Sequence, residues 1–195
     1  MLSSADIPQR PWISKNLITE QNYDWLQKKL NTSGVAFDAT HGLGEAASNS
    51  SMVLFSMGGF DDQHVIADLK WVAPTTAGNE EIAVMSRCLT AETLANYYLW
   101  RLDGGVLKLT KVIDSVFTNL ATVAWALPVD VIATMELIIV GSQLTGRASA
   151  SGMADEELTA SDSDIPGGGL MGFRSLTSSV WCSAFQAGQF GGQPA

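Results

Sequence analysis

In the stretch His64-Val65-Ile66-Ala67-Asp68-Leu69-Lys70-Trp71, the residues Val65, Ala67, Leu69 and Trp71 share one parity, and His64, Asp68 and Lys70 share the other, with Ile66 the exception. A period of two puts apolar side chains on one face of an extended chain and polar ones on the opposite face, which describes a half-buried strand. This strand belongs to a run of alternating segments from Phe60 to Gly105 that closes on Asp103-Gly104-Gly105, where glycine can take the positive φ of a tight turn. Working outward, the same reading places strands at Val35-Asp38, Ser51-Phe55, Val65-Val72, Ile82-Leu89, Tyr97-Leu102 and Val106-Val112. Further strands follow at Thr118-Trp125, Ala133-Val140, Gln143-Ser149, Leu170-Ser175 and Val180-Ala187. Turn signals at intervals of roughly 8 to 12 residues predict an antiparallel, all-β sandwich. Gly141-Ser142 suits a two-residue hairpin with glycine at its first central position. Met135, Leu137 and Ile139 line one face of their strand, but Ile138 and Val140 make it apolar on both sides, as expected of a central or covered strand.

The 195 residues are 46% hydrophobic and 16% charged, a balance that can bury a core and excludes a disordered chain or a coiled coil. The net charge is −9, and the 11 Lys and Arg residues form no cluster along the sequence, so a nucleic-acid partner is not expected. The most apolar stretch, Ala121 to Val140, is interrupted by Pro128, Asp130 and Glu136 and does not make a membrane-spanning helix. Met1 to Pro8 has neither the charged start nor the apolar block of a secretion signal, so export by the general route is not expected. Cys88 and Cys182 form no CxxC or metal-ligand pattern and read as small core residues.

Residues 1–33 read as an N-terminal arm and residues 34–195 as the sandwich. The arm is expected to contain one short helix, Glu20 to Leu30, with Thr19 as N-cap and Ile18 and Tyr23 as a hydrophobic staple. About eleven residues make a helix that is marginal alone and must pack on something. Trp12, Tyr23, Trp25, Leu26 and Leu30 are the candidate anchors for a partner, because aromatic and apolar residues carry much of the energy of an interface. On this reading the sandwich stays folded when residues 1–30 are removed.

The segments Phe60-Asp61-Asp62-Gln63-His64-Val65-Ile66-Ala67 and Asn96-Tyr97-Tyr98-Leu99-Trp100-Arg101-Leu102-Asp103-Gly104-Gly105-Val106-Leu107-Lys108-Leu109 resemble the concanavalin A-like (LamG-like) jelly-roll domains. Ile138 to Thr145, Gly168 to Arg174 and Val180 to Phe185 fit the same order, and the resemblance extends over about residues 35 to 190. Such domains occur in carbohydrate-binding modules and in bacteriophage virion proteins. The resemblance therefore implies a non-enzymatic structural protein of a phage virion, a capsid decoration or accessory protein attached through its arm. Its partners would be capsid or other virion proteins and further copies of itself, and its location the virion. The alternative is a carbohydrate-binding, adhesive module that takes a surface glycan on a concave sheet.

Glucanases of this family carry an E-x-D-x-x-E run, because cleavage needs two carboxylates flanking the glycosidic bond at roughly 5 to 9.5 Å. No such run is present: Glu80-Glu81 precedes a strand, Glu136 stands alone, and Asp155-Glu156-Glu157 lies among Ala, Ser and Gly. His41 and His64, the only histidines, support neither a triad nor a zinc site. Asp155, Glu156, Glu157, Asp162 and Asp164 supply oxygen donors of the kind calcium takes, but their spacing matches no calcium loop. A solvated acidic loop is the expectation there, with no cofactor and calcium as the one alternative. Trp71, Tyr97, Tyr98, Trp100, Trp125 and Trp181 could stack on sugar rings, yet Tyr97 and Tyr98 alternate in facing, so most of these aromatics are expected in the core.

Overall fold

A computed structural model of the chain describes the backbone of residues 12–16, 26–30, 35–38, 42–45, 51–58, 60–71, 81–88, 96–175 and 180–190, and the side chains of residues 60–70, 81–88, 96–174 and 180–190. Two antiparallel sheets face each other. The larger sheet contains β1 (Trp12–Asn16), β3 (Val35–Asp38), β4 (Gly42–Glu45), β6 (Gln63–Trp71), β11 (Ala133–Val140), β12 (Gln143–Ala150), β13 (Glu156–Ser161) and β15 (Val180–Gln189). Its order is β13-β12-β11-β6-β15-β4-β3, with β1 also paired to β15. The smaller sheet contains β2 (Leu26–Leu30), β5 (Ser51–Gly58), β7 (Glu81–Cys88), β8 (Asn96–Asp103), β9 (Val106–Ile113), β10 (Val116–Ala124) and β14 (Leu170–Ser175), in the order β10-β9-β8-β7-β14-β5-β2. The all-β sandwich expected from alternation is thus the observed architecture.

Two local expectations are overturned. Leu26–Leu30, the second half of the expected helix, is strand β2 and pairs with β5 from Leu26↔Phe55 to Leu30↔Met52. A helix this short has little intrinsic stability, whereas the exposed edge of β5 offers a row of backbone donors and acceptors; pairing prevails over local propensity. Residues 20–25 of that expected helix lie outside the described residues. The second correction concerns the acidic loop: Glu156–Ser161 is strand β13, paired with β12 from Gln143↔Ser161 to Ala148↔Glu156. Its Leu158 and Ala160 pack toward the core while Glu157, Thr159 and Ser161 face water, so the alternation is real but was masked by its acidic start.

Hairpin geometry follows the glycines. Gly104 and Gly105 both have positive φ, 59° and 77°, as a type I′ turn between β8 and β9 demands. Gly141 joins β11 to β12 with φ 57°. The β9–β10 turn uses Asp114 and Ser115 at φ 49° and 65° without glycine, and Asp114 N–H donates to Asn96 Oδ1 at 3.2 Å.

Between the sheets lies one continuous core that includes Val65, Leu69, Val84, Tyr98, Trp100, Leu109, Met135, Leu137, Leu144 and Phe185. Trp100 is its largest fully buried side chain. Tyr97 and Leu99 face the other way, as alternation requires, and belong to a second buried cluster with Ala83, Met85, Cys88 and Val112. β8 is therefore buried on both faces. Trp125 is also buried and its indole N–H donates to Ala154 O at 3.0 Å.

Opposite Trp100 stands Gly146 of β12, where an added Cβ would lie 2.5 Å from the indole carbon Cδ2. Gly146→Ala is expected to lower stability by about 1 to 3 kcal/mol through overpacking, measured by denaturant unfolding. Trp100→Phe in the same chain should recover part of that loss, and equal losses with and without it would refute a direct clash. Removing residues 1–30 deletes two paired strands, so the truncated chain should unfold at lower denaturant than the full chain. An unchanged midpoint would show that β1 and β2 add nothing to the sheets.

Candidate functional site

Four neighbouring strands of the larger sheet are in a register that builds a row of outward side chains. Ile66 of β6 lies opposite Glu136 of β11, Glu136 opposite Arg147 of β12, and Arg147 opposite Glu157 of β13. The core-facing residues between them are buried, so these four point away from the core by alternation. Arg147 Nε donates to Glu157 Oε2 at 2.6 Å, and its Nη1 lies 3.4 Å from Glu136 Oε2. His64, diagonal to Glu136, places Nε2 2.6 Å from Glu136 Oε1 and donates to it. In the next row Thr134 donates from Oγ1 to Asp68 Oδ1 at 2.7 Å.

This face holds an open cleft of about 350 Å³ lined by Thr134, Glu136, Arg147, Ser149 and the acidic run Asp155, Glu156 and Glu157, together with Ala148. The volume lies within the range of small-molecule sites. The walls are planar carboxylates and a guanidinium, groups that make paired hydrogen bonds, and Ser149 and Thr134 add hydroxyls. The Glu136 carboxyl is held below its ordinary value of 4.5 chiefly by the hydrogen bond from His64; burial opposes this and the charge of Arg147 assists. Glu136 is therefore an acceptor at neutral pH. The Arg147 guanidinium is pushed further up, first by its hydrogen bond to Glu157.

The residues singled out from sequence fall in different parts of the sandwich. Trp12 lies in β1, and Leu26 and Leu30 in β2, all three as backbone partners within the sheets, while Tyr23 and Trp25 lie outside the described residues. The five acidic residues weighed for calcium separate into two groups. Asp162 and Asp164 converge on Lys111, and Asp162 also accepts from Tyr98 Oη, whereas Asp155, Glu156 and Glu157 line the cleft. No group of three or more His, Cys, Asp or Glu among the described residues is placed to hold a metal ion. Of the aromatics, Tyr97, Tyr98, Trp100 and Trp125 are buried; Trp181, half-buried, lies opposite Lys70 on the outer face that carries the cleft. Arg147 escaped the sequence reading altogether, since a lone arginine on a strand has no local signature and only the strand register brings it to Glu136.

Neither a family model nor a curated protein matches the chain. Solved structures do share its fold. A carbohydrate-binding module of Bacillus subtilis, CBM66, superposes with a TM-score of 0.67 at 16% identity, covering 84% of this chain and 97% of its own. The Ulex europaeus lectin UEA-II, solved with galactose, gives 0.68 at 10% identity over 92% of this chain and 98% of its own. A Bacillus subtilis protein with a galectin-like fold gives 0.66 at 14% identity over 91% and 94%. The chain is thus a jelly-roll sandwich of the kind seen in lectins and carbohydrate-binding modules, consistent with the concanavalin A-like resemblance.

A folded-state carboxyl below its unfolded value contributes stability above about pH 4.5 that is lost as the pH falls through the lowered value. His64→Ala removes the largest cause, so Glu136 should titrate at higher pH, nearer 4.5, when its carboxyl carbon is followed by NMR. A titration superimposable on that of the parent protein would rule out the His64 bond as the cause.

Proposed function

We propose that the protein is a non-enzymatic carbohydrate-binding module whose ligand, a surface glycan, seats in the cleft above β11, β12 and β13. The observation that carries this reading is the in-register row Glu136, Arg147 and Glu157 along an open cleft of about 350 Å³. Vicinal sugar hydroxyls act as donors and acceptors at fixed spacing, and a carboxylate beside a guanidinium presents the complementary pair. Thr134 and Ser149 would take further hydroxyls, and Trp181 on the same face offers an aromatic surface. The fold shared with lectins and a binding module supports this reading over the virion role. No observation in the structure favours the capsid partners or the homo-oligomer drawn from the resemblance.

Glu136 is not suited to the role of a glycosidase's general acid. A glycosidase needs one carboxyl held protonated to act as general acid, with its pKa raised. Glu136 is displaced in the opposite direction by His64.

The test is a glycan array followed by calorimetry with the best ligand. Glu136→Gln and Arg147→Met should each weaken binding about tenfold or more, equivalent to about 1.4 kcal/mol, with unfolding midpoints close to that of the parent. Absence of any bound glycan, or binding by both variants at parental affinity, would exclude the cleft as a sugar site. Release of reducing ends from the bound glycan would show instead that the protein is an enzyme.

A further inference from the structure

The outer face of the smaller sheet, remote from the cleft, carries a second cluster of charges. Arg101 of β8 and Arg174 of β14 flank the same residue of β7, Ala83, one from each side. The small methyl of Ala83 leaves room for both guanidiniums. Both turn toward one carboxylate, Glu81, with Arg101 Nη1 2.6 Å from Oε2 and Arg174 Nη1 3.1 Å from Oε1. Both also sit over the ring of Phe117 on β10, at 5.3 and 5.2 Å from its centroid. Phe117 is 41% exposed, so the cluster borders solvent.

The two arginines differ in how well they are satisfied. Arg101 donates from Nε to Thr110 Oγ1 and from Nη2 to Asn119 Oδ1, and its Nη1 also lies 3.1 Å from Asp103, which pairs with Lys108. Arg174 is 7% exposed, yet among the described residues its Nε and Nη1 have no hydrogen-bond acceptor; Glu81 Oε1 is ion-paired with Nη1 at 3.1 Å but off the donor line, and is itself without a hydrogen bond. Three cations, Arg101, Arg174 and Lys108, face two carboxylates, Glu81 and Asp103. A buried guanidinium with vacant N–H groups is costly, and the ring of Phe117 offsets that cost only in part. Among the described residues the cluster is one negative charge short, and the Arg174 Nε–H has no acceptor.

We infer that this cluster, beside the exposed Phe117, is a binding site for an oxyanion, a carboxylate or sulfate group carried by a ligand, with Arg174 as the principal donor, Arg101 as the second and Phe117 as the apolar wall. The fork of a guanidinium matches the paired oxygens of such groups, and an oxyanion would supply both the missing acceptor and the missing charge. Because the cluster and the cleft lie on opposite sheets, this site stands whether or not the cleft takes a sugar.

The experiment is a titration of the intact protein, followed through its arginine Nε–H resonances, with sodium glucuronate, sodium sulfate and glucose at matched ionic strength. Saturable movement of the Arg174 resonance with glucuronate or sulfate, and none with glucose, is the expected result, and the better of the two anions identifies the group recognised. Arg174→Gln should weaken that anion about tenfold or more, while Glu136→Gln in the cleft leaves it unchanged. The inference is overturned if neither anion moves the resonance, if glucose moves it equally, or if Arg174→Gln binds as tightly as the parent. Should Arg174→Gln fail to fold, the titration of the parent protein decides alone.

Discussion

The cleft depends on one contact between the two sheets, the indole of Trp100 lying on the bare backbone of Gly146. Trp100 comes from β8 in the smaller sheet and Gly146 from β12 in the larger one, and no side chain fits at position 146 beneath the ring. The indole N–H continues the contact by donating to Arg147 O at 2.7 Å. A buried indole needs such a partner, and here the partner is the carbonyl of the residue whose guanidinium lines the cleft. Since side chains alternate, pinning Gly146 toward the core compels Arg147 to face outward. Packing inside the sandwich thereby sets the position of a recognition group on its surface.

A second constraint closes one end of the sandwich. Gln63, fully buried at the start of β6, accepts at Oε1 from Ser86 Oγ and Arg87 N–H across the sheets, and donates from Nε2 to the carbonyls of Phe60, Gly168 and Gly169. Arg87 sits in the left-handed region at φ 51°, where the pairing of β7 with β14 slips register, and this bulge turns its guanidinium inward. There it donates to the carbonyls of Ile165, Asp61 and Gly141. Strain at one residue is offset by three charge-assisted hydrogen bonds to three separate loops. One of those loops is the β11–β12 turn, so the hairpin bearing Glu136 and Arg147 is fixed at its tip by Arg87 and along its length by Trp100.

What the sequence disclosed is set by the range of the interactions concerned. Strands such as β6 and β9 were legible because alternation and turn glycines are local, and the opposite facing of Tyr97 and Tyr98 follows from the same rule. β2 was misread since its identity depends on the vacant edge of β5, contributed by residues more than twenty positions away. β13 was hidden by Asp155-Glu156-Glu157, whose charge reads as loop although the next residues alternate. Glu136 was visible as an isolated acid, but its meaning came from Arg147 and His64, which only register places beside it. Gln63 and Arg87 look like ordinary polar residues at strand ends, and nothing local indicates that they are buried.

The two charged clusters described on the outer faces have opposite electrostatic character, and the sandwich itself keeps them apart. The cleft side presents Glu136, Asp155, Glu156 and Glu157 against Arg147, whereas the cluster on the other sheet gathers Arg101, Arg174 and Lys108 around two carboxylates. Paired sheets stand about 10 Å apart before their outward side chains are added, and the Debye length at physiological ionic strength is about 8 Å. Charges on one face are thus largely screened from a ligand approaching the other. An overall charge of −9 consequently does not decide what either face attracts. That outcome rests on which outward positions the register brings together: Glu, Arg and Glu in a row on one sheet, and two arginines about an alanine on the other.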